Sequence, residues 1–412
     1  MNERPSSAES TGPGTLATAG LWLRGGIGVA ADVYRGTVDI VAGVHDAVSE
    51  TGAAWNPTVA IARPVRGLVY RQVRDIGALS FAIARTGVGL TRAVAPWPAR
   101  PGPHDVSLGF QSALNGACGD YLAASGNELA LTMTCHDASH DALPTGDRPA
   151  LAARLASARP RLVLLIHGLG MNDRQWRRGQ EPDIGDRLAV DRNATTLRLR
   201  YNTGRAIADN GRELAVQLEA LLAAWPGRLD DIVLVGHSMG GLVAHHAFAQ
   251  ATASGLRWPQ RCHAFVCLGS PHRGAPLARL AHATTGALGW TPYTRPFAAI
   301  GQARSAGIQD LRGGGVPADA RIEAHRPAYL LLAATLGQRR GDVRDRCFGD
   351  LLVGIDSATD RRHAGAAPDI TARVFARRHH FDLLGDEAVY DVLRQWLDDR
   401  PATSAGRRAR TK

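Results

Sequence analysis

The stretch LVGHSMGGLVAHH, Leu234–His246, sets a serine between glycines directly after an apolar run. Ser238 is either a nucleophile on a sharp turn or one serine in a glycine-rich loop. Upstream, DIVLVG (231–236) is the short apolar run expected of a strand buried on both faces. Downstream, an apolar helical segment follows from Met239. Gly-x-Ser-x-Gly in a strand–turn–helix setting is a nucleophile elbow. Gly236 and Gly240 stand two residues to either side, where a Cβ would crowd the turn. The helix N-terminus then brings the Met239 N–H and a positive dipole end beside the serine. A serine hydroxyl still needs a base, an acid to orient that base, and a second oxyanion donor.

Working outward, short apolar runs alternate with helical patterns. RLVLLIHG (161–168), ATTLRLRY (194–201), HAFVCLGS (263–270), AYLLLAA (328–334) and TARVFA (371–376) read as further strands, the second of them weaker. Leu214, Leu218, Leu221, Leu222 and Trp225 keep one face of a helix over 208–225, and 386–398 carries a final helix. This alternation predicts an α/β fold, a mostly parallel, doubly wound sheet with helices on both faces. About fifty residues without a strand, 275–327, predict a helical cap inserted over the strands' C-terminal ends.

In a parallel sheet the loop after the 161–168 strand emerges at the same edge as Ser238. There Gly168 lets the chain turn so that the Leu169 N–H becomes the second oxyanion donor, and His167 supports the loop. The base belongs after the last strand and before the last helix, where His379 and His380 lie; His380 is favoured because FDLL follows it. The acid belongs between the preceding strand and that base. Asp350, Asp356 and Asp360 are available there, and Asp350, after a glycine and before an apolar run, is favoured.

Composition limits the rest. The 412 residues are 45% hydrophobic, enough for a sizeable core, and the net charge is +10. Lys412 is the only lysine and arginines are scattered throughout, so the charge reads as a compositional bias and not as a nucleic-acid patch. Five cysteines without regular spacing speak against a disulfide framework and for a reducing compartment. No signal peptide or uncharged spanning run is recognised, so a cytoplasmic location is expected, with membrane association left open. Cys135, His136 and His140 lie together but lack a second ligand pair, so no metal is expected; without a nucleotide-binding glycine loop, no cofactor is expected either. His245 and His246 read as packing or surface residues.

The domain organisation expected is a disordered 1–17, a helical extension over 18–105, an α/β domain over 106–400 and a basic disordered tail at 401–412. The extension has two helical stretches, Leu21–Val48 and about Val59–Val94, ended by the proline-rich APWPARPGPHD. Two readings of it stand: a packing extension, or a peripheral membrane contact.

Gly236–Gly241, His167-Gly168-Leu169-Gly170, GSPHRGAP (269–276), GDLLVGIDSA (349–358) and HFDLL (380–384) together resemble an α/β-hydrolase serine lipase or esterase. The resemblance covers roughly 107–400 and is strongest to bacterial lipases similar to the GPI inositol-deacylase-like group. RSAGIQDLR (304–312) also looks like that group's cap segment. It implies Ser238 as nucleophile, Asp350 as acid, His380 as base, and Leu169 and Met239 as oxyanion donors. Leu351 follows Asp350 where relatives often carry glycine. The implied activity is carboxylic-ester hydrolysis through an acyl-enzyme, on an ester or lipid substrate. An acyltransferase on the same triad, or a membrane- or granule-surface protein with an inactive hydrolase domain, are the alternatives.

Overall fold

The computed structural model describes residues 105–177, 182–274, 305–313, 327–338, 350, 352–360 and 369–400, with parts of 22–46 and 67–82. Seven strands are β1 (Thr134–His136), β2 (Arg161–Ile166), β3 (Thr195–Arg200), β4 (Asp231–His237), β5 (Cys262–Leu268), β6 (Ala328–Thr335) and β7 (Ile370–Ala376). They form one sheet in the order β1-β3-β2-β4-β5-β6-β7. Every pairing is parallel except that of β1 with β3. Six of these strands coincide with the runs expected from sequence. β1 was not foreseen: three residues are too few to show a period.

The apolar runs fill both faces by simple alternation. Leu162, Leu164, Ile166, Ile232 and Leu234 join one core cluster. Val163, Leu165, Val233 and Val235 join another on the opposite face. Helix Ile207–Ala224 covers the first face through Leu214, Leu218 and Leu221, and Glu387–Asp398 covers the second through Val389, Leu393 and Leu397. The weaker strand β3 carries Arg198 inside the fold. Its fully buried guanidinium is held by Asp183 (2.7 Å) and Asp186 (2.6 Å), so the buried charge is compensated.

Sheet order decides where a site forms. The chain runs from β2 outward to β3, then returns to the other side of β2 to lay down β4, which makes a switch point at β2/β4. Ligand sites of open α/β sheets lie at such points, beyond the strands' C-terminal ends. The β2/β4 register ends with Ile166 opposite Gly236, so the next residues, His167-Gly168 and His237-Ser238, leave the sheet side by side.

The described residues fall into two compact units. The larger comprises Gly109–Ala123 and the described residues from Leu131 onward, with the sheet inside it. The smaller comprises the described residues of Met1–Leu108 together with Ala124–Ala130. In the smaller unit 22–32 and 67–75 are helical, and Asn127 Nδ2 donates to Gly25 O at 3.2 Å. No helix among the described residues is long and apolar enough to cross a membrane. Of the expected cap, 275–304 and 314–326 lie outside the described residues, as do 1–21 and 401–412 at the termini. Residues 306–313 form a helix. Its Asp310 accepts from the Ile207 N–H (2.8 Å), and Ser305 donates to Gly116 O (2.6 Å), tying this segment to the sheet-covering helix and to the 109–123 segment.

Candidate active site

Ser238 follows β4 with φ 53° and ψ −122°, a conformation that a residue with a side chain adopts only under constraint. The constraint is close packing of backbone on backbone. A Cβ on Gly236 would overlap the Gly241 backbone, and one on Gly240 would overlap Ile166 O. Only glycine lets the helix Met239–Ala253 start this close to β2 and β4. The Ser238 N–H donates to Leu268 O (2.8 Å), fixing the turn to the end of β5.

Met239 is the first residue of that helix, so its N–H has no acceptor within the helix. Across from it, a Cβ on Gly168 would lie 3.0 Å from Ser238 Cβ, which brings the peptide leading to Leu169 beside the serine. The loop is held from several sides. Gly170 (φ +70°) donates its N–H to Thr203 Oγ1 at 3.0 Å, and Tyr201 Oη donates to His167 O at 2.8 Å. The His167 ring is fully buried, stacks on Tyr201 at 4.5 Å and pairs through Nδ1 with Gly168 O (3.0 Å). Burial pushes its pKa down to about 4, so it is neutral and acts as a support for the loop.

Asp350 and His380, 30 residues apart in sequence, meet at 2.6 Å between Oδ2 and Nδ1, both buried. The other oxygen of Asp350, Oδ1, accepts from the N–H groups of Leu352 (2.9 Å) and Val353 (2.7 Å), and the His380 N–H donates to Asp350 O (3.2 Å). With Nδ1 engaged, the His380 ring turns its Nε2 edge inward, where it meets no hydrogen-bond partner among the described residues. The His237 ring lies 4.7 Å from the His380 ring. Gly269 (φ +63°) abuts that ring: a Cβ there would be 2.9 Å from Cε1. Leu268 therefore holds the serine turn while the next residue, Gly269, holds the histidine.

The other acid and base options sit elsewhere. His379 caps the turn His380–Leu384, accepting from the Phe381 N–H (3.2 Å) and facing Asp382 (3.0 Å). Asp360 faces Arg273 at 3.8 Å, and Asp356 opens the short helix Ile355–Ala358. Sequence reasoning attached no role to Ser357. Its hydroxyl accepts from the Arg273 N–H (2.9 Å) and donates to Gly274 O (2.9 Å), which ties the acid loop to the GSPHRGAP segment. Of Cys135, His136 and His140, the two histidines lie against the same Asp173 oxygen, His136 Nδ1 at 4.0 Å and His140 Nδ1 at 3.1 Å, while the Cys135 thiol faces Gln217 instead.

A family model described as the PGAP1-like alpha/beta domain matches residues 158–285, which contain β2 to β5, the serine turn and the Gly168 loop. Among curated proteins none matches the chain. Similar solved structures include the mature form of Bacillus licheniformis lipase BlEst2, 21% identical, covering 58% of this chain and 92% of that one with a TM-score of 0.42. A Pyrococcus furiosus esterase, PF2001, is 12% identical, covering 65% and 89% with a TM-score of 0.38. The Bacillus subtilis carboxylesterase CesB is 14% identical, covering 58% and 83% with a TM-score of 0.35. The sheet order, the register that aligns Gly168 with Ser238 and the strained serine turn make this an α/β fold built on a mostly parallel seven-stranded sheet, within which residues 158–285 are similar to the PGAP1-like alpha/beta domain.

Proposed function

We propose that the protein is a serine carboxylic-ester hydrolase, a lipase or esterase, with Ser238 as nucleophile, His380 as base and Asp350 as acid. The observation that carries the reading is the buried Asp350–His380 pair at 2.6 Å, whose Nε2 meets no hydrogen-bond partner among the described residues, together with a serine held at positive φ. In this reading His380 Nε2 takes the Ser238 proton as Oγ attacks the ester carbonyl carbon. Asp350 holds the tautomer and stabilises the imidazolium. The N–H groups of Leu169 and Met239 receive the oxyanion. Collapse of the tetrahedral intermediate expels the alcohol, which leaves with the proton from His380. Water, deprotonated by the same imidazole, then releases the carboxylic acid and restores Ser238.

The test uses p-nitrophenyl esters of graded chain length and a fluorophosphonate probe on the full chain. Wild type should hydrolyse the esters and be labelled at Ser238, and Ser238→Ala should lose both properties. Equal rates in the two proteins would overturn the reading. Adding an alcohol acceptor separates hydrolysis from acyl transfer, since a transferase gives mainly the new ester. A lipid-facing role for the N-terminal helices is supported by the exposed Leu68, Val69 and Val73. Flotation with liposomes, with and without the first hundred residues, tests it; unchanged binding would dismiss it.

A further inference from the structure

Below the serine turn lies a second cluster of reactive side chains that the proposed reaction does not use. His245 sits on the helix that Ser238 opens, Cys267 is near the end of β5, and His272 lies in the loop that follows. All three are buried, and one nitrogen from each histidine and the Cys267 sulfur lie within 4.8 Å of one another. A point within about 2.8 Å of all three atoms therefore exists, so sub-ångström side-chain rotations suffice to reach zinc–nitrogen and zinc–sulfur distances of about 2.1 and 2.3 Å. We propose that His245, Cys267 and His272 form a buried site for a thiophilic transition metal ion, zinc being the reference case, which clamps the nucleophile helix to the β5 loop.

Three features support this over chance packing of polar groups. First, the residue types agree: two imidazoles and one thiol make a set suited to zinc, cobalt or cuprous copper and unsuited to calcium or magnesium, which take oxygen ligands. Second, the rings are held in place beforehand. The His245 ring packs beside Phe265 (5.0 Å) and Tyr329 (5.2 Å), which lie 5.1 Å from each other, all three nearly parallel, and His272 meets His245 edge-on at 5.4 Å. Third, an oxygen is at hand for a fourth position. The fully buried Ser270 hydroxyl lies against the Cys267 thiol and meets no nitrogen or oxygen partner among the described residues. Room for it depends on Gly241, where a Cβ would overlap Ser270 Oγ and stand 3.3 Å from Cys267 Sγ.

Burial, opposed in part by the Ser270 hydroxyl, pushes the Cys267 thiol up to about 12, so at neutral pH it keeps its proton until a cation displaces it to solvent. The site touches the serine turn through the backbone. Leu268, next to Cys267, accepts the Ser238 N–H, and Gly269 abuts His380. A metal joining His245 to Cys267 and His272 would stiffen both anchor points without contacting substrate.

The experiment uses the full chain purified from cells grown with added zinc or cobalt, so that a buried site loads during folding. One metal ion per chain is expected by elemental analysis, surviving dialysis against a weak chelator. The cobalt form should show a near-ultraviolet thiolate-to-cobalt charge-transfer band. That band should vanish in Cys267→Ala and persist in Cys118→Ala, a thiol outside the cluster. The metal-loaded wild type should melt at a higher temperature than protein stripped with a strong chelator, and Cys267→Ala should show no such shift. A wild type with no metal, or with cobalt bound but no thiolate band, would overturn the proposal. Circular dichroism of each variant checks that it is folded, and Cys267→Ser with an unchanged band would overturn the proposal as well.

Discussion

Asp350→Asn offers the sharpest probe of the candidate site, because three acids were open in the sequence and the substitution changes almost no volume. In the structure Oδ1 of Asp350 accepts two backbone N–H groups, from Leu352 and Val353, while Oδ2 receives His380 Nδ1. An asparagine keeps the two backbone bonds only by placing its carbonyl there, which turns its NH2 toward His380. Nδ1 must then accept, the ring proton moves to Nε2, and the base can no longer take a proton from Ser238. A tautomer error of this kind costs about 10⁴-fold in kcat, or roughly 5 kcal/mol of transition-state stabilisation. KM should change little, since no substrate contact is lost. Folding should lose about 1–3 kcal/mol from weakened charge-assisted bonds in a buried place. The assay is steady-state hydrolysis of a p-nitrophenyl ester, with Asp356→Asn and Asp360→Asn alongside and thermal melts of all three. A kcat within tenfold of wild type for Asp350→Asn, with a large loss in either of the others, would refute the reasoning.

Two further expectations follow from the same geometry. Gly269→Ala should lower kcat by about tenfold to a hundredfold, because a Cβ at φ +63° and 2.9 Å from His380 Cε1 must displace the ring; an unchanged rate would show that the ring tolerates the shift. Acid should destabilise the fold between pH 6.5 and 4, because burial holds His167 neutral down to about 4 while the unfolded chain takes up its proton from about 6.5. The folded pKa is the lower one, so this stability is fully present above pH 6.5 and is lost as pH falls, by about 3 kcal/mol for His167 alone. Burial shifts His136 in the same direction, adding to the slope. Melting curves of wild type and His167→Gln across this range should show a shallower slope in the variant, and parallel slopes would count against the assignment.

Much of the chain announces its structure locally. Runs such as RLVLLI and DIVLVGH are apolar at every position because both sheet faces are covered, and Leu214, Leu218 and Leu221 repeat with the helix. The serine turn is local too: Gly236 and Gly240 are required within two residues of Ser238 by the backbone atoms they approach. Other parts were hidden by the same physics. β3 looked weak because Arg198 interrupts it, and the acids that neutralise its charge, Asp183 and Asp186, lie in a different element. β1 is too short to carry a period, and the helix Asp105–Ala124, glycine-containing and kinked at Cys118, has little amphipathic pattern. The role of Gly269 was unreadable because its constraint comes from His380, over a hundred residues away.

The sequence by itself determined the parallel α/β class, the strand–turn–helix around Ser238 and the short set of acids and bases following it, because these depend on neighbours a few residues apart. Which acid meets which base was decided only by the tertiary structure. The β2/β4 register brings Gly168 beside Ser238, and the turn at His380 carries its ring onto the Asp350 carboxylate. The same holds for His245, Cys267 and His272: their meeting is set by how one helix lies on one strand, a distance in space that no spacing along the chain encodes.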